Sequence, residues 1–240
     1  MDVKEQDILG DRIEQHWYYV SKSNALLQFL DGCAAREILD IGAGSGFFSK
    51  RLLSAGFCER AICIDTAYAA DRTELHGGKQ VDFVRHTDLV TQDLLLMMDV
   101  IEHVDDDVAF IRAYTDRMPQ GALLLVSVPA FQVLWSGHDV FLEHKRRYTL
   151  ASLHRTIDKA GLEVIRSRYF FSALLPVICA MRLWGRLKLN SSGFTPHSDL
   201  RLHAPWTNAL LTAIHELERR TVFRCNRLAG LTAFCLAKRK

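Results

Sequence analysis

The sequence predicts a single α/β domain built on a mostly parallel sheet, and three observations support this prediction. Apolar segments of strand length alternate with helical segments between residues 37 and 170, as expected for parallel strands joined by helical crossovers. A glycine-rich turn follows the first apolar segment, at a point where such sheets bind nucleotide-like ligands. The length of 240 residues, with 49% hydrophobic and 24% charged side chains, suffices for one substantial core.

The predicted strands are short apolar runs separated by helical or loop segments. They span residues 37–42, 61–65, 81–86, 93–99, 122–129, 163–170 and 231–238. The helical spacing of apolar residues predicts helices at 11–30, 46–56, 105–118 and 150–160. Thr149 is a candidate cap for the last of these helices, and Gly161 is a candidate terminator.

About sixty residues, 171–230, separate the last two predicted strands, which is far too long for a simple connection. They contain two helical patterns, at 172–188 and 205–224. The predicted division is therefore a sheet domain, 1–170 with 230–240, and an inserted helical subdomain, 171–229.

Composition and charge narrow the class of protein. Six scattered cysteines without a CxxC pair indicate reduced thiols and a cytoplasmic protein. No uncharged apolar run clearly reaches the roughly 20 residues that a membrane-spanning helix needs. Residues 1–140 carry 12 Lys and Arg against 22 Asp and Glu, whereas residues 141–240 carry 18 against 6. Any attraction for an anionic partner is therefore expected in the second part.

The most specific motif is ILDIGAGSGFF, residues 38–48. Its three glycines let the chain turn tightly out of a strand and let a ligand approach the backbone. Asp40 precedes them, where a carboxylate would repel a pyrophosphate and attract a cationic amino group. Asp65 lies 23 residues after Gly42, where an acid can accept hydrogen bonds from both hydroxyls of a ribose.

LDIGAGSG resembles motif I of the class I S-adenosylmethionine-dependent methyltransferases, and MMDVIEHVDDD at 97–107 is similar to that family's segment at the end of strand four. The resemblance implies a Rossmann-like, seven-stranded methyltransferase sheet whose last strand is antiparallel and follows the helical insertion. It also implies S-adenosylmethionine as the cofactor. The implied cofactor contacts are Asp40, Gly42, Gly44 and Gly46 at the methionine moiety, Asp65 at the ribose, Met98 in the pocket and Asp88 at the adenine edge.

The segment after strand four narrows the class of methyl acceptor. It reads DVIE rather than the [DN]PPY of enzymes that methylate amino groups of DNA bases and protein glutamine, and a Pro-Cys nucleophile is absent from the sequence. We therefore expect transfer to an oxygen, or less readily a nitrogen, of a small or lipid-linked molecule. An inactive, cofactor-binding interaction module at a membrane surface is the alternative from a different class.

Asp99, Glu102 and His103 raise the alternative of a metal site. Their spacing looks like the set that binds a divalent metal in quinone-biosynthesis O-methyltransferases, which implies metal-assisted catechol or quinone methylation as a second function. The same segment also occurs widely as a structural turn. Because three ligands in a five-residue window are sterically awkward without a fourth, we predict that no metal is bound.

The stretch GHDVFLEHKRRYT, residues 137–149, follows predicted strand five at the edge where this family receives its acceptors. His138 and Asp139 are the first candidates for a general base, and His144 is the next. Asp139 acting only to orient a neighbouring arginine, and His144 acting as a helix cap, remain open. The expected acceptor contacts in this stretch are Arg146, Arg147 and Tyr148.

The leading helix contains HWYYVSKSN, residues 16–24, which resembles the aromatic segment that folds over the cofactor in related enzymes. We expect Trp17 to lie in the core and Tyr18 to serve as a lid that contacts the substrate.

The segment at 168–189 combines a long apolar run with basic residues. Two interpretations are open: a helix that lies at the inner face of the membrane, or an α-hairpin that seals the substrate crevice. Nucleic acid is the least favoured partner, because the basic residues are spread among apolar helices rather than clustered with exposed aromatics.

Overall fold

The computed structural model of the protein describes residues 9–188, 197–199 and 201–239. Eight strands form its central sheet: β1 (Glu37–Ile41), β2 (Arg60–Ile64), β3 (Arg72–His76), β4 (Lys79–Val84), β5 (Leu94–Met98), β6 (Leu123–Pro129), β7 (Leu162–Phe170) and β8 (Thr232–Arg239). Their order in the sheet is β3-β4-β2-β1-β5-β6-β8-β7. The five strands β4, β2, β1, β5 and β6 run parallel to one another, while β8 is antiparallel to both of its neighbours. The predicted fold class is confirmed.

In the part of the chain that the structure describes, seven α-helices accompany the sheet: α1 (Trp17–Phe29), α2 (Phe47–Ser54), α3 (Asp107–Thr115), α4 (Gly137–Phe141), α5 (Leu150–Lys159), α6 (Leu175–Lys188) and α7 (Pro205–Arg220). The predicted cap of α5 is confirmed, because Thr149 and Ser152 each accept a hydrogen bond from the other's backbone N–H. Short 3-10 helices at Gly10–Gln15 and Gln132–Leu134 complete the description.

The sheet has one strand more than the seven predicted. The additional strand, β3, pairs antiparallel with β4 at the edge of the sheet. Gly77 and Gly78 join the two strands with φ angles of 59° and 80°. A two-residue hairpin with positive φ at both positions is the turn whose twist matches that of paired strands, and glycine adopts it without strain.

Helices cover both faces of the sheet, so alternate residues of the central strands enter two different cores. In β5, Leu94, Leu96 and Met98 contribute to the core beneath α1 and α2, whereas Leu95 and Met97 contribute to the core beneath α3 and α5. This two-residue alternation explains why β5 reads as a continuous apolar run. Both cores therefore hold the ends of the parallel strands in place.

The insertion between β7 and β8 packs against the sheet domain through α1. The backbone N–H of Trp17 donates to Oδ1 of Asn208 at 2.8 Å, and the Trp17 ring stacks on the buried His215 at 5.4 Å between centroids. Glu218 accepts hydrogen bonds from the backbone and the hydroxyl of Ser172, each at 2.7 Å. These contacts anchor α7 beside the carboxyl end of β7.

Parts of the sequence predictions fall outside the described residues. They are the far end of the predicted membrane-facing segment at residue 189, the side chains of Arg186 and Lys188, and the first and last residues of the predicted sheet domain. Within the described ranges, no helix combines the length and the apolar character needed to cross a bilayer.

Candidate active site

The turn between β1 and α2 requires glycine at two positions, Gly42 and Gly46. Gly42 and Gly46 have φ angles of 67° and 72°. A Cβ on Gly42 would lie 2.8 Å from a methyl group of Val100, and one on Gly46 would lie 2.9 Å from the ring of Phe83. Val100 and Phe83 therefore pack closely against the backbone of the turn. Gly42 also lines a cavity next to the N-terminus of α2, where a ligand could approach the backbone.

Asp40 lies beneath this turn and is almost fully buried. Burial raises its pKa to about 6, although a hydrogen bond from Oγ of Ser49, at 2.7 Å, opposes the increase. A cationic group bound near the turn would favour the ionised form of Asp40. Asp40 lines neither of the two cavities described below, so its contact with a cationic amino group stays a prediction.

Asp65 joins the end of β2 to the glycine turn. Its carboxylate accepts hydrogen bonds from the N–H groups of Gly44, at 3.0 Å, and Ala67, at 2.9 Å. The hydroxyl of Tyr68 donates to the carbonyl of Gly44 at 2.6 Å. Two side chains from the β2 end therefore hold the central glycine of the turn.

A cavity of about 510 Å³ opens above this turn, and we refer to it as the glycine cavity. Its walls include Gly42, Asp65, Asp99, His103 and Leu142.

Of the seven predicted cofactor residues, Gly42 and Asp65 line the glycine cavity, whereas Asp40, Gly44, Gly46, Asp88 and Met98 do not. Met98 is buried in the core on the α1 side of the sheet. Asp88 is exposed, with 87% of its side chain accessible, and its carboxylate accepts a hydrogen bond from Nε2 of His86 at 3.0 Å. Their roles at the pocket and at the adenine edge stay predictions.

A second cavity, of about 210 Å³, adjoins the first, and we refer to it as the histidine cavity. The two cavities share Asp99, His103 and Leu142. Its apolar wall is formed by Trp17, Tyr18, Leu174, Ile178 and Leu231, and its polar wall by Glu102, His138, His144, Arg147, Arg182 and Asp199. Trp17, expected in the core, thus also lines this cavity, as does Tyr18.

Asp139 does not fit the predicted role of general base. It is fully buried and accepts hydrogen bonds from Nδ1 of His144 at 2.9 Å and from Nε and Nη2 of Arg147 at 2.6 and 3.0 Å. Burial alone would raise its pKa, but these donors reverse the effect and hold the pKa below its ordinary value. It also accepts from the backbone N–H of Ser136 at 2.8 Å. Asp139 therefore orients His144 and Arg147 and takes no proton from the cavity.

The two histidines of the polar wall differ in the nitrogen that they offer. Because a carboxylate only accepts hydrogen bonds, Nδ1 of His144 carries its hydrogen toward Asp139 and Nε2 is left with a lone pair. Nδ1 of His138 instead accepts from the backbone N–H of Asp199 at 3.2 Å. Burial lowers the pKa of His138 to about 4. A neutral His138 that accepts at Nδ1 carries its hydrogen on Nε2, so it is a hydrogen-bond donor.

Two of the predicted acceptor contacts, Arg146 and Tyr148, lie outside the wall of the histidine cavity, and their side chains bond to other parts of the fold. Nη2 of Arg146 donates to the carbonyls of Val104 and Asp105 at 2.9 and 2.7 Å. Tyr148 is 3% exposed, and its hydroxyl donates to Asp107 at 2.7 Å. Neither lines the histidine cavity, whereas Arg147 does.

Lys22, which the sequence predictions do not include, pairs with Asp99, a residue that both cavities share. Its fully buried ammonium group forms an ion pair with Asp99 and donates to the hydroxyl of Tyr18 at 3.0 Å. Burial opposes ionisation of Asp99, but Lys22 keeps the pKa of that carboxyl below its ordinary value. Asp99 has a φ of 56°, an uncommon angle for a residue other than glycine. The pair ties the leading helix α1 to the end of β5.

Glu102, His103 and His144 form a cluster with the composition of a metal site. One ligand atom from each lies within 4.8 Å of the others. Glu102 is fully buried, and neither of its carboxylate oxygens has a hydrogen-bond partner among the described residues. Burial and the nearby Asp99 raise the pKa of Glu102 well above its ordinary value. The cluster differs from the predicted set because His144 takes the place of Asp99.

The fold resembles several solved structures at low sequence identity. An S-adenosylmethionine-dependent methyltransferase of Archaeoglobus fulgidus has a TM-score of 0.54 and 17% identity, with 98% of each chain covered. The methyltransferase chain in a Haloferax volcanii complex with the activator Trm112 has a TM-score of 0.57 and 14% identity, covering 98% of this chain and 93% of that one. The [4+2]-cyclase SpnF has a TM-score of 0.55 and 13% identity, with 92% and 81% covered. These likenesses concern the fold alone.

The family is identified by the sequence. No curated protein matches the chain. Residues 15–167 match the family model described as a methyltransferase domain, and this range contains the glycine turn, Asp65 and the polar wall of the histidine cavity up to Arg147. The chain therefore belongs to the methyltransferase-domain family and is a class I S-adenosylmethionine-dependent methyltransferase.

Proposed function

We propose that the enzyme transfers the methyl group to an oxygen of a small or lipid-linked acceptor bound in the histidine cavity. One observation carries this proposal: the histidine cavity and the glycine cavity share a wall at Asp99, His103 and Leu142. Methyl transfer from a sulfonium is an in-line displacement, so donor and acceptor must lie side by side with the attacking atom aimed at the methyl carbon. The apolar half of the histidine cavity suits a hydrocarbon or aromatic body, and the polar half suits its hydroxyl group.

We assign the proton transfer to His144. Asp139 orients its ring so that Nε2 is the nitrogen able to accept the proton of the acceptor hydroxyl. His138 supports the reaction as a donor through its Nε2–H, which can fix the acceptor oxygen. An oxygen acceptor benefits most from this arrangement, because a hydroxyl is a weak nucleophile until its proton is removed. A neutral amine attacks without that help, so nitrogen is the less favoured atom.

The acceptor is identified by incubating the enzyme with methyl-labelled cofactor and fractionated lysate. We expect the label in the small-molecule or lipid extract, in a methyl ether that resists mild base. Label recovered only in protein or nucleic acid would contradict the proposal. Cofactor binding without transfer to any fraction would favour the inactive interaction module instead.

Metal-assisted O-methylation of a catechol or quinol is a second candidate, favoured by the cluster of Glu102, His103 and His144. The unpartnered carboxylate of Glu102 and two imidazoles suit a divalent ion such as manganese, iron or zinc. A bound ion would stabilise the acceptor oxygen as its anion. In that case Nε2 of His144 would be a metal ligand and could not also accept a proton.

A chelator separates the two candidates. On the first proposal, turnover of the identified acceptor survives dialysis against excess EDTA. On the second, turnover falls by at least about tenfold, which corresponds to a loss of about 1.4 kcal/mol or more of transition-state stabilisation, and manganese or zinc restores it. Glu102→Gln should abolish that restoration, whereas Glu143→Gln, in the wall of the adjoining glycine cavity and outside the cluster, should not.

We further propose that the enzyme contacts an anionic membrane surface on the cytoplasmic side through α6 and α7. Val177, Met181 and Trp184 form one exposed stripe of α6, with 54%, 64% and 65% of each residue accessible. An adjacent side of α6 contributes Ile178 and Arg182 to the histidine cavity. A lipid-linked acceptor could therefore pass from the bilayer surface to the cavity along one helix.

Helix α7 carries a matching stripe. Trp206, Leu210 and Leu217 are separated by four and seven residues and are 71%, 51% and 64% exposed. We expect the protein to float with vesicles containing phosphatidylglycerol and the double variant Trp184→Ser, Trp206→Ser to float several-fold less, since each buried tryptophan contributes on the order of 2 kcal/mol. Leu75→Ser, on the distant strand β3 and 76% exposed, is the matched control. Wild-type protein that stays at the bottom of the gradient would exclude this contact.

A further inference from the structure

A third pocket lies outside both cavities and is lined by arginine. Its volume is about 280 Å³, and it shares no lining residue with the glycine cavity or the histidine cavity. We refer to it as the arginine pocket. Its walls are formed by Gln28, Phe29, Asp31, Arg166, Arg168, Phe223 and Arg224.

The backbone brings these arginines together from two parts of the chain. Arg166 and Arg168 are two residues apart on the edge strand β7, so their side chains project from the same face of the sheet. Arg224 follows α7 and accepts a hydrogen bond at its backbone carbonyl from Nε of Arg168, at 3.0 Å. The guanidinium carbon of Arg166 lies 5.5 Å from the centre of the Phe29 ring, which forms the floor of the pocket.

The guanidinium groups of Arg166 and Arg168 bind carbonyls, and Arg166 also lies 3.4 Å from Sγ of Cys33. Arg166 donates from Nη2 to the carbonyl of Asp31 at 2.9 Å, and Arg168 donates from Nη1 to the carbonyl of Ser167 at 2.7 Å. Nε of Arg166 is buried and has no partner among the described residues. Within the described ranges, none of the three arginines forms an ion pair. Several N–H groups are therefore left to bind an anion.

The charges in the pocket are unbalanced. Three guanidinium groups face one carboxylate, that of Asp31, so the walls carry a net charge of two positive units. Burial, together with the nearby Arg227 and Arg166, lowers the pKa of Arg168. The positive charges of these arginines thus repel one another, and a bound anion would offset that repulsion.

We propose that the arginine pocket binds a phosphoryl group, separately from the methyl-transfer site. A phosphate dianion carries the charge that the walls lack, and planar guanidinium groups pair with phosphate oxygens in the bidentate manner that lysine cannot provide. A phosphorylated lipid headgroup and a soluble phosphate ester are the two sources of this group. The pocket would hold either one as an anchor or an effector, because it has no wall in common with the histidine cavity.

Binding is tested on the full chain with inorganic phosphate and pyrophosphate, by calorimetry at constant ionic strength against chloride. We expect saturable binding that Arg168→Gln weakens by about tenfold, the effect of one charge-assisted hydrogen bond. Asp31→Asn should tighten binding, because it removes the one acidic wall. Arg155→Gln, an exposed arginine on α5, is the matched control and should change nothing.

The source of the phosphate is distinguished by a second arm. Vesicles of phosphatidic acid and soluble glycerol phosphate are compared for wild type and for Arg168→Gln, with thermal unfolding as the check that the variant is folded. Loss confined to the vesicles identifies a lipid headgroup, and loss with both identifies a general phosphate site. Binding of phosphate, pyrophosphate and vesicles that is absent, or that is equal in wild type, Arg168→Gln and Asp31→Asn, would overturn the proposal.

Discussion

Asp65→Ala is expected to weaken the binding of S-adenosylmethionine by about a hundredfold while the sheet stays folded. The carboxylate of Asp65 lines the glycine cavity at the end of β2, where a ribose would donate two hydroxyl hydrogens to it. Hydrogen bonds to a charged group contribute roughly 1.5–3 kcal/mol each, and a loss near 3 kcal/mol corresponds to about two factors of ten in affinity. Calorimetric titration with the cofactor measures the change, and circular dichroism reports the fold.

The control must separate the ribose contact from the support of the turn, since Asp65 also accepts the N–H of Gly44. Tyr68→Phe removes the other side-chain contact to Gly44, the 2.6 Å hydrogen bond to its carbonyl, and keeps the carboxylate. We expect Tyr68→Phe to lower affinity only a few-fold, and Asp158→Ala, an exposed acid on α5, to have no effect. Equal affinities in wild type and Asp65→Ala would remove Asp65 from the cofactor site.

The parts of the fold that are encoded locally could be predicted from the sequence. The glycine turn is one example, because three closely spaced glycines directly after an apolar run are typical of a tight turn that binds a ligand. The additional strand β3 was missed although Gly77 and Gly78 form a recognisable hairpin signal. Its residues, RTELH, contain one apolar side chain, Leu75, which is exposed, so the periodicity that marks a buried strand is absent.

The role of Asp139 was also available in the sequence. Ser136 and Asp139 have the spacing of a capping box. In this motif the side chain of each residue accepts a hydrogen bond from the backbone N–H of the other. That pattern indicates that the Asp139 carboxylate stabilises the first turn of α4, a structural role that argues against its being the general base. The charged side chains of the stretch 137–149 suggest an acceptor edge, but they do not reveal the short helix α4 within it.

The direction of the remaining charged side chains could not be predicted, because it depends on packing between distant segments. Arg146 and Arg147 are adjacent and chemically identical, yet one binds carbonyls at residues 104 and 105 and the other binds Asp139 in the histidine cavity wall. Lys22 meets Asp99 across 77 positions of sequence. No local pattern distinguishes a lysine that will be buried against a carboxylate from one that will be solvated.

His144→Ala is expected to lower turnover by about a hundredfold to ten-thousandfold, the usual contribution of a positioned general base, with cofactor affinity unchanged. Asp139→Asn should lower turnover to a similar extent, by up to about ten-thousandfold, because an amide N–H facing Nδ1 would place the imidazole hydrogen on Nε2, the nitrogen that has to accept the proton. His138→Ala should cost about tenfold, the effect of one hydrogen-bond donor. His86→Ala, an exposed histidine bound to Asp88, is the matched control.

Replacing a general base and replacing a structural side chain both lower turnover, but the size of the decrease depends on the acceptor only in the first case. Once the acceptor is known, analogues with more acidic hydroxyl groups need less help in losing the proton, so the loss caused by His144→Ala should shrink along that series. A residue that only shapes the cavity would show the same loss with every analogue. A constant loss would therefore withdraw His144 as the base, and with EDTA-sensitive turnover it would reassign Nε2 to a metal ion together with Glu102 and His103.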